Sequence, residues 1–156
     1  MKFPRTIRVD PSDTHVFERA AEPGEWAITG TFVFAADDPE RLTGKQRQAF
    51  RNGFLGTASF GWSTLAAVAE MSEAEHEATI ARIADYLLEA FGAPGRAAAE
   101  AAAREEAAFA ASLCDHPFNT VITIERALSE EGIVENFRTV DADGHAPASV
   151  WRIGDD

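Results

Sequence analysis

Few residues in this chain have both the type and the spacing to do chemistry. Ser59 lies in Gly56-Thr57-Ala58-Ser59-Phe60-Gly61. A nucleophile elbow needs a single residue between the first glycine and the serine, and here there are two. Thr43-Gly44-Lys45-Gln46 holds the lysine of a phosphate loop. Pro39 stands where its first glycine belongs, however, and Gln46 stands where a hydroxyl would meet magnesium. Cys114-Asp115-His116 is the one place where a thiol, a carboxylate and an imidazole adjoin. Zinc takes four ligands, usually as two spaced pairs, whereas His15, His76 and His145 are scattered. Cys114 falls near an expected helix C-terminus, where the helix dipole opposes a thiolate. It reads as a small buried hydrophobe capped by His116. These residues give no catalytic constellation, no metal-ligand set and no cofactor.

Two features remain. Residues 53–63 hold three glycines and three aromatics in eleven positions, the composition of a tightly packed loop where backbone must turn or approach closely. The preceding segment carries Arg41, Lys45, Arg47 and Arg51 on one helical side, with Leu42, Ala49 and Phe50 on the other. Aromatics and arginine are the types enriched at binding hot spots. The candidate interface or pocket is therefore Arg47, Arg51, Phe54, Ser59, Phe60 and Trp62, with Asp115 and His116 as further polar groups. The leading expectation is a non-enzymatic interaction or accessory module with a protein partner or self-association. The alternative is a small-ligand-binding domain or enzyme whose pocket the loop 53–62 lines.

Composition narrows the classes. The 156 residues suffice to bury a core, and 46% are hydrophobic, as in a globular chain. A net charge of −12 argues against nucleic-acid binding and against attachment to anionic lipid. A single cysteine allows no internal disulfide. The N-terminus Met1-Lys2-Phe3-Pro4-Arg5 lacks the apolar run of a signal peptide, and no stretch approaches the roughly 20 apolar residues of a membrane span. A cytoplasmic location is the expectation.

The elements that must position these residues follow from period and punctuation. Residues 6–9 predict a short strand, residues 10–13 a turn, and residues 16–20 an extended segment. Trp26, Ile28, Phe32 and Phe34 alternate, predicting a strand over residues 26–34 that forms a hairpin with the segment before it. Asp37-Asp38-Pro39 opens a helix expected to run to about Asn52. Residues 63–71 predict a buried strand. Ser72-Glu73-Ala74-Glu75 is a capping box, and Ile80, Ile83, Ala84, Leu87, Leu88 and Phe91 form an apolar stripe behind it, closed by Gly92 and Pro94. Residues 96–113 predict an alanine-rich helix anchored by Phe109 and Leu113. Residues 121–126 and 133–140 predict a hairpin across Glu130-Glu131-Gly132. Asp141-Ala142-Asp143-Gly144 predicts a turn, and residues 150–153 an edge strand. Strands and helices come in blocks, which predicts an α+β fold, a largely antiparallel sheet packed against about three helices. The expected organisation is one domain over residues 1–153 with a frayed tail at 154–156.

The stretches Phe3-Pro4-Arg5-Thr6-Ile7-Arg8, Val16-Phe17-Glu18-Arg19-Ala20, Gly53-Phe54-Leu55-Gly56, Ser59-Phe60-Gly61-Trp62-Ser63-Thr64-Leu65 and Ser112-Leu113-Cys114-Asp115-His116-Pro117 carry a resemblance. On them the chain resembles a small uncharacterised bacterial family, a domain of unknown function, over most of its length. The resemblance implies an accessory role, as for proteins encoded near accessory factors for molybdenum enzymes and a biotin/lipoate ligase-like protein. It transfers no catalytic residue.

Overall fold

The computed structural model describes residues 1–140 and the backbone of residues 150–153. The expected turn at 141–144, His145 and the tail at 154–156 lie outside the described residues. Among the described residues, two antiparallel sheets and four α-helices make an α+β fold. The larger sheet contains β1 (Lys2–Ile7), β5 (Leu65–Glu70), β6 (Val121–Ser129), β7 (Gly132–Val140) and β8 (Val150–Ile153), in the order β1-β5-β6-β7-β8. The smaller contains β2 (Ala27–Ile28), β3 (Phe54–Gly56) and β4 (Trp62–Ser63), in that order. The helices are α1 (Asp13–Val16), α2 (Gly44–Asn52), α3 (Glu73–Ala90) and α4 (Arg96–Ser112).

Local signals produce the long elements. In the capping box, the backbone N–H of Glu75 donates to the Ser72 hydroxyl, and that of Ser72 donates to the Glu75 carboxylate, at 3.1 and 2.9 Å. Ile80, Ile83 and Ala84 of α3 face inward, and Gly92 at φ +68° follows the helix end. On α4, Ala99, Ala103, Ala107 and Ala110 are wholly buried in one stripe. Their small size lets α4 lie close against its neighbours, which the bulk of leucine would forbid. Arg104 of α4 grips Glu77 of α3 with two hydrogen bonds of 3.0 and 2.9 Å, and Arg96 bonds Asp85. These bridges are exposed and contribute little to stability. The β6–β7 hairpin turns through Glu130 and Glu131, with Ser129 opposite Gly132. The small sheet uses its period of two on both sides. Ile28 and Leu55 join the core against α3 and α4, while Ala27 and Phe54 join the core formed with Val68, Ile122, Ile124 and Phe137.

Several sequence expectations give way to tertiary packing. The strand over residues 26–34 stops at Ile28, and residues Thr31–Phe34 form a 3₁₀ turn. Gly30 causes the change: its φ is +78°, and a Cβ there would lie 2.5 Å from Leu55 Cβ. β2 accordingly pairs with β3, not with the preceding segment. That segment is the single helical turn α1, after which the chain bends at Glu18 and Arg19 before Ala20 bridges Trp62 in parallel. The helix expected over residues 37–52 breaks in two. A 3₁₀ turn at Pro39–Arg41 ends at Leu42, whose ψ of 138° is extended, and Thr43 starts α2 afresh. The break lets Leu42 bury beside Phe17, Phe34 and Phe50. Residues 53–63 are not a free loop but the hairpin β3–β4, with Leu55 opposite Trp62. β1 begins at Lys2, before the expected start at Thr6.

Among the described residues, Arg126 is the largest fully buried side chain, on the inward parity of β6 with Ile122 and Ile124. Its Nε donates to Thr31 Oγ1 at 2.7 Å, and that hydroxyl in turn donates to Glu135 Oε2 at 2.6 Å. Its Nη1 donates to the carbonyls of Ala49 and Phe50, at 3.3 and 2.9 Å, at the C-terminal end of α2. Its Nη2 donates to the Thr29 carbonyl. Burial pulls this guanidinium down to about 10, against the opposing pull of Glu135 and Glu106, so it stays charged at neutral pH. Burial, with Glu135 and Glu105 adding, pushes Glu106 up to about 6, with Arg126 opposing.

Arg126→Met should lower the unfolding free energy by about 3–5 kcal/mol, because it leaves buried carbonyls without a donor and removes the counter-charge of half-buried Glu135. Arg126→Lys should recover only part of the loss, since an ammonium lacks the planar fork. Denaturant midpoints of the three proteins measure both effects.

Candidate functional site

A buried carboxylate builds the tip of the β3–β4 hairpin. Glu25 Oε1 accepts from the backbone N–H groups of Ala58 and Ser59, at 2.9 and 2.8 Å. Its Oε2 accepts from the Ser59 hydroxyl and the Glu22 N–H, both at 2.7 Å. Burial raises the Glu25 carboxyl, but these four donors outweigh it and hold the group below the usual carboxylate range. From the other side, Arg82 of α3 donates to the carbonyls of Thr57 and Ala58, each at 2.8 Å. Ser59, a sequence candidate, is therefore structural. Its hydroxyl donates to Glu25 and accepts from the Gly61 N–H at 3.0 Å.

The clamp presents Phe60 in an unusual way. Phe60 has φ +55°, a left-handed conformation that costs a bulky residue about 1–3 kcal/mol. Next to it, Gly61 leaves no room for a side chain, since a Cβ would lie 2.7 Å from the Ala20 carbonyl. With both flanks fixed, the Phe60 ring stacks on Tyr86 of α3, centroids 3.8 Å apart and planes 11° apart. Tyr86 then meets Phe91 edge-on at 5.1 Å. One step along the chain, Trp62 stacks on Phe34 at 5.3 Å. The Arg126 guanidinium lies 5.9 and 6.0 Å from these two rings.

Phe34, Phe60 and Trp62, with Leu42 and Ala49, line a half-open cleft of about 490 Å³. Its rim carries two acids, Glu18 and Asp37, and two bases, Arg19 and Lys45. All four are exposed. Arg19 reaches the Ser59 carbonyl at 3.4 Å, which ties the rim to the hairpin tip. The site offers an apolar, aromatic interior and a rim able to donate and accept hydrogen bonds. It contains no nucleophile beside a general base.

The other sequence candidates fall elsewhere. Arg47 and Arg51 are exposed on the far flank of α2 and line a second cleft, of about 330 Å³, with Glu125 and Leu128. Phe54 is 1% exposed, a core residue that no partner can touch. Asp115 is exposed and His116 half-buried in the turn after α4, where Lys2 donates to the His116 carbonyl at 2.6 Å. Cys114 is buried, and burial pushes its thiol up to about 12. Among the described residues, no group of three His, Cys, Asp or Glu side chains is placed to hold a metal ion. No helix among them is long and apolar enough to cross a membrane. Sequence reasoning missed Glu18, Arg19, Asp37 and Glu25. The three rim charges carry no periodic signal. The only hint for Glu25 was an acid set between a turn glycine and a tryptophan.

Comparison with known proteins gives a family and nothing beyond it. A family model described as a family of unknown function (DUF6505) matches residues 1–150. No curated protein and no solved structure matches the chain.

Glu25 generates a pH prediction. A carboxylate with a lowered folded pKa stabilises above its unfolded value, near 4.5, and loses that contribution as the pH falls through the folded value. Glu25→Gln should thus cost about 1–3 kcal/mol at pH 7. Thermal melts of wild type and variant should converge as the pH is taken well below 4.5. Cys114 should resist iodoacetamide in the native protein and react fast after denaturation, which quenched mass spectrometry would resolve.

Proposed function

Because the chain belongs to that family of unknown function, we propose its role from the site alone: a non-enzymatic binding module, serving a protein partner in an accessory capacity in the cytoplasm. The observation that carries this reading is the aromatic cleft with Phe60 held in its wall at φ +55°. Strain of this kind persists only where the surroundings enforce it, and here Glu25, Arg82 and Gly61 enforce it around a single exposed use, the cleft. The polar residues that suggested chemistry support binding over turnover. Ser59 is engaged by Glu25, and the Cys114 thiol is buried. Helix α2 separates the cleft from the arginine-bearing flank, so a partner clasping α2 would meet aromatic walls on one side and Arg47 and Arg51 on the other.

The cleft volume favours a second reading, a free small ligand. Its roughly 490 Å³ lies within the range of small-molecule sites.

Phe60→Asn removes the ring while keeping a residue that tolerates left-handed backbone, and Arg51→Glu reverses an exposed charge. Both should keep a cooperative melt. In pull-downs from native extract, wild type should capture a partner that Phe60→Asn loses and Arg51→Glu weakens. Undiminished capture by both folded variants would remove the cleft and the helix face from the binding surface.

A further inference from the structure

We propose that the occupant of the cleft presents a planar aromatic ring that stacks beside Phe60, and that this ring, not charge, is what the site recognises. The inference rests on the binding reading above and adds the chemistry of the occupant. Three of the lining residues are aromatic, drawn from the 3₁₀ turn and the hairpin. Two of the rings are fixed before any occupant arrives. Phe60 is backed by Tyr86 in a near-parallel stack, and Trp62 is backed by Phe34 in another. Phe60 lines the cleft while Tyr86 behind it does not, so that pair is an aromatic step that a further ring can extend from the cleft side.

The rim excludes charge as the selecting property. Glu18 and Asp37 balance Arg19 and Lys45, so no single sign is favoured at the mouth. These groups can accept from or donate to polar substituents of a ring of either hydrogen-bonding kind. The strained backbone of Phe60 adds the same indication. An aliphatic site would need only apolar volume, which many unstrained residues supply. Holding a phenyl ring in left-handed backbone is useful where its plane matters.

The test compares two neutral probes of similar size, N-acetyltryptophanamide and N-acetylcyclohexylalaninamide, by NMR titration of the full chain. The aromatic probe should bind roughly 2- to 10-fold tighter, the gain that stacking adds beyond burial of area. It should shift the Phe60 and Trp62 ring resonances, and its affinity should change little with salt. In Phe60→Leu, which keeps apolar bulk, and in Phe60→Asn, which keeps the backbone state, the ratio between probes should fall toward one. Equal affinity of both probes for the wild-type cleft overturns the ring proposal and leaves the binding reading standing. No perturbation of the cleft by either probe overturns both. Native mass spectrometry of protein from its own cells separates the sources of such a ring. A small bound mass lost in Phe60→Leu marks a free molecule, and a protein-sized one marks a partner's side chain. A mass that Phe60→Leu retains counts against stacking.

Discussion

The constraint on which the rest of this structure depends is the enclosure of one positive charge. The Arg126 side chain has no solvent exposure, and a guanidinium can be dry only if its donors are met. Its partners come from three places: the turn leading into and forming the first 3₁₀ segment, the C-terminal end of α2, and β7. The carbonyls of Ala49 and Phe50 belong to the negative end of the α2 dipole, so the cation suits that helix end electrostatically as well. One side chain thereby fixes where α2 and the 3₁₀ turn lie on the sheet. Those two elements supply Ala49, Val33 and Phe34 to the aromatic cleft. The cleft is in effect shaped from below by a charge that does not touch it.

Glu25 repeats the device with opposite sign at the other end of the site. It gathers four donors from the hairpin tip and one adjoining turn, and it replaces the hydrogen bonds that a 57–61 segment would otherwise seek from water. The consequence is a tip stiff enough to hold Phe60 in an unfavourable conformation. Strain at Phe60 and satisfied charge at Glu25 belong together, since the first persists only because of the second.

Much of the fold was legible where interactions are local. The capping box at Ser72, the apolar stripe of α3, the alanine stripe of α4 and the two-residue turn of the β6–β7 hairpin all depend on neighbours within a few positions. The failures share a cause. Trp26, Ile28, Phe32 and Phe34 alternate like a strand, yet Phe32 turns to Tyr86 and Phe91 while Phe34 turns to Phe50 and Trp62. Their targets are distant in sequence, and Gly30 redirects the chain to reach them. The site was half legible for the same reason. Phe60 and Trp62 stood out by composition. Phe54 resembled them by composition but faces the core, and Asp115 and His116 belong to the other end of the large sheet. Arg126 had a readable signal, a charge on the buried parity of a β-branched strand after Ile122 and Ile124.

The connectivity of Arg126 also bears on how the chain acquires its shape. The four groups that its hydrogen bonds reach lie 76 to 97 residues earlier in the chain. Bonds of such span form only when remote pieces dock, after loop-closure entropy has been overcome. The helices and the β6–β7 hairpin can assemble from nearby contacts, with the guanidinium still hydrated. A chain that collapsed in the wrong arrangement would have to strip water from that charge without offering it acceptors. The hydrogen bonds of Arg126 are therefore completed only with the docking of α2 and the 3₁₀ turn, and a misdocked core that buried the guanidinium would leave its donors unmet.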